Sequence, residues 1–244
     1  YDLLMLVPFT SAIEACRAVN EIFLAGFTPS GLEFMEKDAL TFGAKYVNDL
    51  EIEISHDTGA HLLIEVDGNH IEELQRDMEG IYGVLEQFDC GDILFAEDAA
   101  QKNRLWKLRR SLGEAVKAQS IYKEEDTVVP RGKLPALLEG VKCIGKKFGF
   151  ESVCYGHAGD GNLHVNILKG DLPDKKWNDE LDQAIEEIFK LCVSLGGTIS
   201  GEHGIGYVQK KFMHIPFAET ELDIQKNIKK LFDPKNILNP GKIF

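Results

Sequence analysis

The stretch Tyr155-Gly156-His157-Ala158-Gly159-Asp160-Gly161-Asn162-Leu163-His164-Val165-Asn166 constrains this chain more than any other. An apolar run, Ser152 to Tyr155, enters a Gly/Asp/Asn loop, and an alternating run, Leu163 to Leu168, leaves it. That pattern predicts a β-hairpin with a longer, glycine-containing turn. His157 and His164 bracket the turn, so paired strands place them at or beside a cross-strand pair, where Cβ atoms sit roughly 4.5–5.5 Å apart. Two imidazoles held that close on a stiff scaffold can close on one metal ion. Taken alone, the pair reads equally as turn-flanking histidines with no ligand.

The rest of the chain supplies layers around such a hairpin. Leu3 to Val7 reads as a buried strand, followed by a helix starting near Pro8-Phe9-Thr10-Ser11 with a stripe of Ile13, Cys16, Val19 and Ile22. Gly31 to Val47 reads as a second helix, Asn48 to Gly59 as a polar linker, and His61 to Val66 as a strand. Ile71, Leu74, Met78, Ile81 and Leu85 mark the next helix, Asp92 to Glu97 a strand, and Asp98 to about Ala118 a long helix. Thr127 to Pro130 is a short strand before a helix bearing Leu134, Leu138, Val141 and Phe148. After the hairpin, Trp177, Leu181, Ile185, Ile188, Cys192 and Leu195 form the strongest amphipathic helix. Hairpins mixed with crossovers predict an α+β fold, one antiparallel or mixed sheet with helices on one face. The order suggests two related halves, with no residue-level repeat between them.

Composition removes several function classes. A formal charge of -13 over 244 residues argues against nucleic acid or an anionic membrane as the main partner. Five cysteines, odd in number and without a C-x-x-C pair, read as reduced thiols. The residues given carry no signal-peptide pattern and no span-length apolar run. These features predict a cytoplasmic protein, peripheral membrane association being left open, as is homo-oligomerisation.

A second feature gives the hairpin its chemistry. Gly196-Gly197-Thr198-Ile199-Ser200-Gly201-Glu202-His203-Gly204-Ile205-Gly206 places a titratable pair among five glycines. It lacks the G-K-[ST] and G-x-G-x-x-G signatures of nucleotide loops, so a metal ligand and a proton carrier suit it better. With the hairpin it offers His157, His164 and Glu202 as a two-imidazole, one-carboxylate set for a divalent ion such as Zn, Mn or Fe. Asp160 and Asn162 are turn formers first.

These two motifs, together with Leu231-Phe232-Asp233-Pro234-Lys235-Asn236-Ile237-Leu238-Asn239-Pro240-Gly241-Lys242, resemble the C-terminal domain of FAD-linked oxidases of the vanillyl-alcohol-oxidase type. That family includes D-2-hydroxyacid dehydrogenases such as D-lactate dehydrogenase and the glycolate oxidase flavin subunit. Glu33-Phe34-Met35-Glu36, Trp106-Lys107-Leu108-Arg109 and Glu125-Asp126-Thr127-Val128-Val129-Pro130-Arg131 extend the resemblance over essentially the whole chain. It implies a duplicated ferredoxin-like domain, residues 1–244, which binds substrate and metal beside an FAD-binding domain not in this sequence. It implies metal ligation by His157, His164 and Glu202, and His203 as the base for the substrate hydroxyl. It further implies Arg109 on the substrate carboxylate, Asn166 in the substrate pocket, and Asn239 in a tail returning towards the flavin. Where members preferring a second carboxylate carry threonine and lysine, this chain has Gly113 and Glu124, which leans towards a small monocarboxylate such as D-lactate or glycolate. Two other readings remain at this stage, a metal-dependent hydrolase or lyase needing no flavin, and an interaction domain without chemistry. Metal-dependent hydrolysis by the chain alone would favour the first, and failure to bind any divalent ion the second.

Overall fold

The strand Asp2–Phe9 (β1) carries apolar side chains on both of its faces, Leu4 and Leu6 on one, Met5 and Val7 on the other, all buried. A strand apolar on both sides is stable only between two layers, and the computed structural model, which describes residues 1–47 and 54–244, shows both. The chain continues through Ala12–Leu24 (α1), Gly31–Glu36 (β2), Lys37–Tyr46 (α2), Ala60–Asp67 (β3), Ile71–Leu85 (α3) and Leu94–Phe95 (β4). Ala99–Gln119 (α4) then leads to Tyr122–Val128 (β5), Leu134–Phe148 (α5), Glu151–Gly156 (β6), Asn162–Leu168 (β7), Leu181–Ser194 (α6) and Glu219–Phe232 (α7).

The seven strands form one sheet in the order β4-β1-β3-β2-β6-β7-β5, and every neighbouring pair is antiparallel. Its first half, β4-β1-β3-β2, has the strand order of a ferredoxin-like unit. The second half mirrors it: β6-β7-β5, closed at the outer edge by a bridge from Val128 to Thr198. The duplication absent from the residues is present in the topology. The halves meet where β2 and β6 pair, at Phe34↔Gly156 and Met35↔Tyr155.

Helices α1, α3, α5 and α6 cover one face through a core that includes Phe9, Val19, Phe34, Ile64, Val165 and Phe189. This is the one-face layer expected from sequence. Helices α2 and α4 add a second layer on the opposite face, packing Leu40, Leu105, Leu108 and Leu112 against Leu6, Met35, Leu63 and Tyr155. Each fully buried leucine there contributes roughly 1.5–3 kcal/mol, ample reason for the 21-residue α4 to lie flat on the sheet.

Four local expectations are corrected. Gly31 to Val47 is a strand followed by a helix, because Gly31–Glu36 fills a central sheet position. The strand over Asp92 to Glu97 contracts to Leu94–Phe95 at an exposed edge. The strand at Thr127 begins earlier, at Tyr122, and ends at Val128. Trp177 lies in a widened turn over 176–180 ahead of α6, and Leu195 caps that helix. Of the expected linker, residues 48–53 lie outside the described residues, and 54–59 form neither helix nor strand.

Candidate active site

Strands β6 and β7 pair antiparallel in the register Tyr155↔His164, which makes the predicted hairpin real. His157 sits just past the end of β6, and a single 3-10 turn over Ala158–Asp160 returns the chain. The turn closes when the amide of Asn162 donates to the His157 carbonyl at 3.1 Å. Gly161 makes this reversal with φ +77°, and a Cβ there would lie 1.9 Å from the Val129 carbonyl oxygen, so no other residue fits. The imidazole centroids of His157 and His164 end 6.0 Å apart.

The Glu202-His203 turn reaches the hairpin by way of Asp126. That residue lies on β5 directly opposite His164, 1% exposed. Its Oδ2 accepts the backbone N–H groups of Glu202 and His203, both at 2.7 Å, and the Ser200 hydroxyl at 3.2 Å. Its Oδ1 accepts from the Asn162 side chain at 2.6 Å. Burial alone would raise the Asp126 carboxyl, but these donors outweigh it and hold the group below the usual aspartate range. Gly201 is required here too, since a Cβ would fall 2.1 Å from the Asn162 amide nitrogen.

The outcome is convergence. Nε2 of His164 lies 3.3 Å and Nε2 of His157 3.6 Å from Oε1 of Glu202. Two ligands at about 2 Å from one tetrahedral ion sit roughly 3.3 Å from each other, close to these two distances, and all three ligand atoms lie within 4.8 Å of one another. Each histidine has a carboxylate behind it. Glu33 Oε1 is 2.8 Å from Nδ1 of His157. Glu124 Oε1 is 3.2 Å from Nδ1 of His164, near enough for a charge contact but too poorly aligned for a hydrogen bond. A carboxylate hydrogen-bonded at Nδ1, as Glu33 is to His157, favours the proton there and leaves Nε2 free to ligate. Hydrogen bonding to Glu33 raises the pKa of His157, against the effect of its burial. Glu124, His164 and His203 form a second trio of potential ligand atoms within 4.8 Å, sharing His164 with the first.

His203 stacks on His164 with centroids 5.0 Å apart and planes 29° from parallel. Its ring is half exposed, and Nε2 stands 4.0 Å from Glu202 Oε1. Arg109 arrives from α4 and is 8% exposed. Its Nε donates to Glu33 Oε2 at 2.8 Å, and Nη2 makes an ion contact with the same oxygen at 2.7 Å. Arg109, Glu33 and His157 are therefore one connected row. Asn166, two residues beyond His164 and on the same face of β7, is fully buried; its Nδ2 donates to the Val153 carbonyl and its Oδ1 has no partner. Asn239 is the exception among the predicted residues. It is exposed, has φ +47° and bonds to Lys242, while its tail docks on the glycine-rich segment through the Ile243 amide and the Gly206 carbonyl.

Glu33 and Asp126 were not assigned to the site from sequence, and Glu124 entered only as a departure at a substrate-preference position. Glu33 and Asp126 fall inside the quoted E-F-M-E and E-D-T-V-V-P stretches, yet nothing local marks them. Their partners lie 76 and 124 residues away for Glu33 and up to 77 for Asp126.

Fold and site together define a duplicated ferredoxin-like domain bearing a histidine–carboxylate cluster at the hairpin of its second half. The family described as FAD linked oxidases, C-terminal domain, matches residues 2–243, and the chain belongs to it. It is 32% identical to a D-lactate dehydrogenase of Anaerostipes hadrus over 98% of this chain and 51% of that protein. It is 33% identical to the glycolate oxidase subunit GlcD of Bacillus subtilis over 98% of this chain and 50% of the relative. The chain thus spans about half the length of these curated relatives. Among solved structures, substrate-bound p-cresol methylhydroxylase superposes with a TM-score of 0.70 at 13% identity, covering 100% of this chain and 52% of that one, a likeness of fold.

Proposed function

We propose that this chain is the substrate- and metal-binding domain of a flavin-dependent D-2-hydroxyacid dehydrogenase, completed by an FAD-binding domain in the same polypeptide. The observation that carries the reading is the convergence of His157 and His164 Nε2 on Glu202, with His203 stacked beside them. The names of the relatives point to a small 2-hydroxy acid, with D-lactate and glycolate as the first candidates. Half-length coverage and an exposed apolar face on α7, formed by Ile224, Ile228, Leu231 and Phe232, support a missing covering domain.

His157, His164 and Glu202 would hold a divalent ion. When bound, that ion supplies Lewis-acid polarisation at the substrate hydroxyl, and the flavin supplies an acceptor for the hydride. The protein's own groups do the rest. His203, half exposed at the mouth of the cluster, takes the hydroxyl proton in its neutral form. The Nε and Nη2 side of Arg109 faces Glu33, which leaves its Nη1 side for the substrate carboxylate. Among the described residues the buried Oδ1 atoms of Asn166 and Asn162 lack partners, and that of Asn166 is the acceptor assigned to a substrate hydroxyl or water.

The test is steady-state oxidation of D-lactate and glycolate by the flavin-loaded full-length protein. His203→Ala lowers kcat by about 10²–10⁴-fold, the usual worth of a positioned base. Arg109→Met raises KM by roughly 10–100-fold through loss of a charge-assisted pair. Wild-type kcat in His203→Ala would remove the assigned base, and turnover by the present chain with FAD alone would remove the need for a second domain.

A further inference from the structure

We propose that Glu33 is a positioning residue that fixes two functional groups at once, the tautomer of His157 and the pose of Arg109. The inference rests on the reading of His157 as a metal ligand and of Arg109 as a substrate-binding group, and it assigns a role to a residue outside both.

Glu33 lies on β2, the strand at which the two halves of the sheet meet, and is 5% exposed. Its two oxygens are divided between two partners. Oε1 faces Nδ1 of His157 at 2.8 Å, and Oε2 accepts from Nε of Arg109 at 2.8 Å with Nη2 alongside at 2.7 Å.

Both partners present donors. A carboxylate can accept from each; an amide of the same shape has only one acceptor oxygen. A glutamine at this position must therefore turn its NH₂ towards one partner. Facing the buried, permanently charged Arg109 with that donor is the costlier choice, so the amide oxygen stays on Arg109 and the NH₂ faces His157. Nδ1 of His157 must then accept, its proton moves to Nε2, and the nitrogen nearest Glu202 loses its lone pair for a metal. This makes a specific forecast: an isosteric change two contacts away from the ion switches a tautomer.

The experiment uses the purified chain, stripped of metal, with ¹⁵N-labelled histidine. Ring nitrogen shifts read on the alkaline side of the His157 titration are expected to show the Nδ1–H form in the wild type and the Nε2–H form in Glu33→Gln. Calorimetric titration with Zn²⁺ is expected to show about 10–100-fold weaker binding in Glu33→Gln, the usual cost of losing an orienting partner. Glu33→Asp, which retains two acceptor oxygens, is expected to restore the Nδ1–H form. An Nε2–H tautomer in the wild type overturns the proposal without need of any variant, which covers the case that Glu33→Gln does not fold. A folded Glu33→Gln with unchanged tautomer and affinity overturns it as well. Absence of Zn²⁺ binding in the wild type would instead defeat the metal reading, while the tautomer comparison would still decide the role of Glu33.

Discussion

Glu125 and Asp126 are adjacent on β5 and point to opposite faces of the sheet, with opposite electrostatic outcomes. Asp126 turns towards the site and is surrounded by donors. Glu125 turns towards the helical layer, is 3% exposed, and accepts one hydrogen bond, from the Gln209 side chain at 3.1 Å. One donor does not offset its burial, and desolvation pushes its carboxyl up to about 7. The sign follows from proton counting. Between the ordinary glutamate pKa and about 7 the folded chain keeps a proton that the unfolded chain has lost, so stability falls as pH rises through that window. A difference of this size amounts to a few kcal/mol, on the order of 3 at full development. Glu125→Gln is therefore expected to flatten the decline in urea midpoint between pH 5 and pH 8 and to be the more stable chain at the upper end. An unchanged slope would show that Glu125 ionises without cost.

At the scale of elements, the junction of the two halves depends on a short contact. Strands β2 and β6 share only two paired positions, Phe34↔Gly156 and Met35↔Tyr155. Glu36 extends the junction with its side chain: Oε2 accepts the Cys154 amide at 2.6 Å and the Lys142 ammonium at 2.8 Å, and the same ammonium donates to the Ser152 carbonyl at 2.7 Å. Glu36→Ala leaves the Cys154 N–H without an acceptor and should cost about 1–3 kcal/mol. Urea denaturation measures the loss, and amide exchange at Cys154 should quicken; protection equal to wild type would mean the clamp is redundant. This junction also explains what the sequence conceals. The hairpin, α1, α3, α4, α5 and α6 are legible because each carries a sustained apolar period or a strong turn signal. Strand β2 is not, since Glu33 and Glu36 interrupt its apolar run with charges whose partners, Arg109, His157, Lys142 and Cys154, lie far along the chain. Read locally, Gly31–Glu36 merges with the helix that follows it. The site shows the same division: histidines and the Glu-His turn announce themselves by spacing, whereas Glu33 and Asp126 acquire meaning only through partners far along the chain.

For the molecule as a whole, the duplicated sheet works as an alignment device. It places β7 between β6 and β5, so that the hairpin histidines, Glu124 and Asp126 share one neighbourhood, and it lays α4 across the second face to deliver Arg109 to the same place. The five cysteines are free, as their spacing suggested. Among the described residues no helix is long and apolar enough to cross a membrane. The second half of the sheet carries the cluster, and α7 presents an exposed apolar stripe of Ile224, Ile228, Leu231 and Phe232. The measurement closest to the central claim is the divalent-metal content of the purified chain, read by mass spectrometry beside His157→Ala and Glu202→Ala. The geometry predicts about one ion per chain in the wild type and almost none in either variant, with all three proteins folded. Equal metal content in all three, or a wild-type chain that takes up no zinc, manganese or iron on loading, would contradict it.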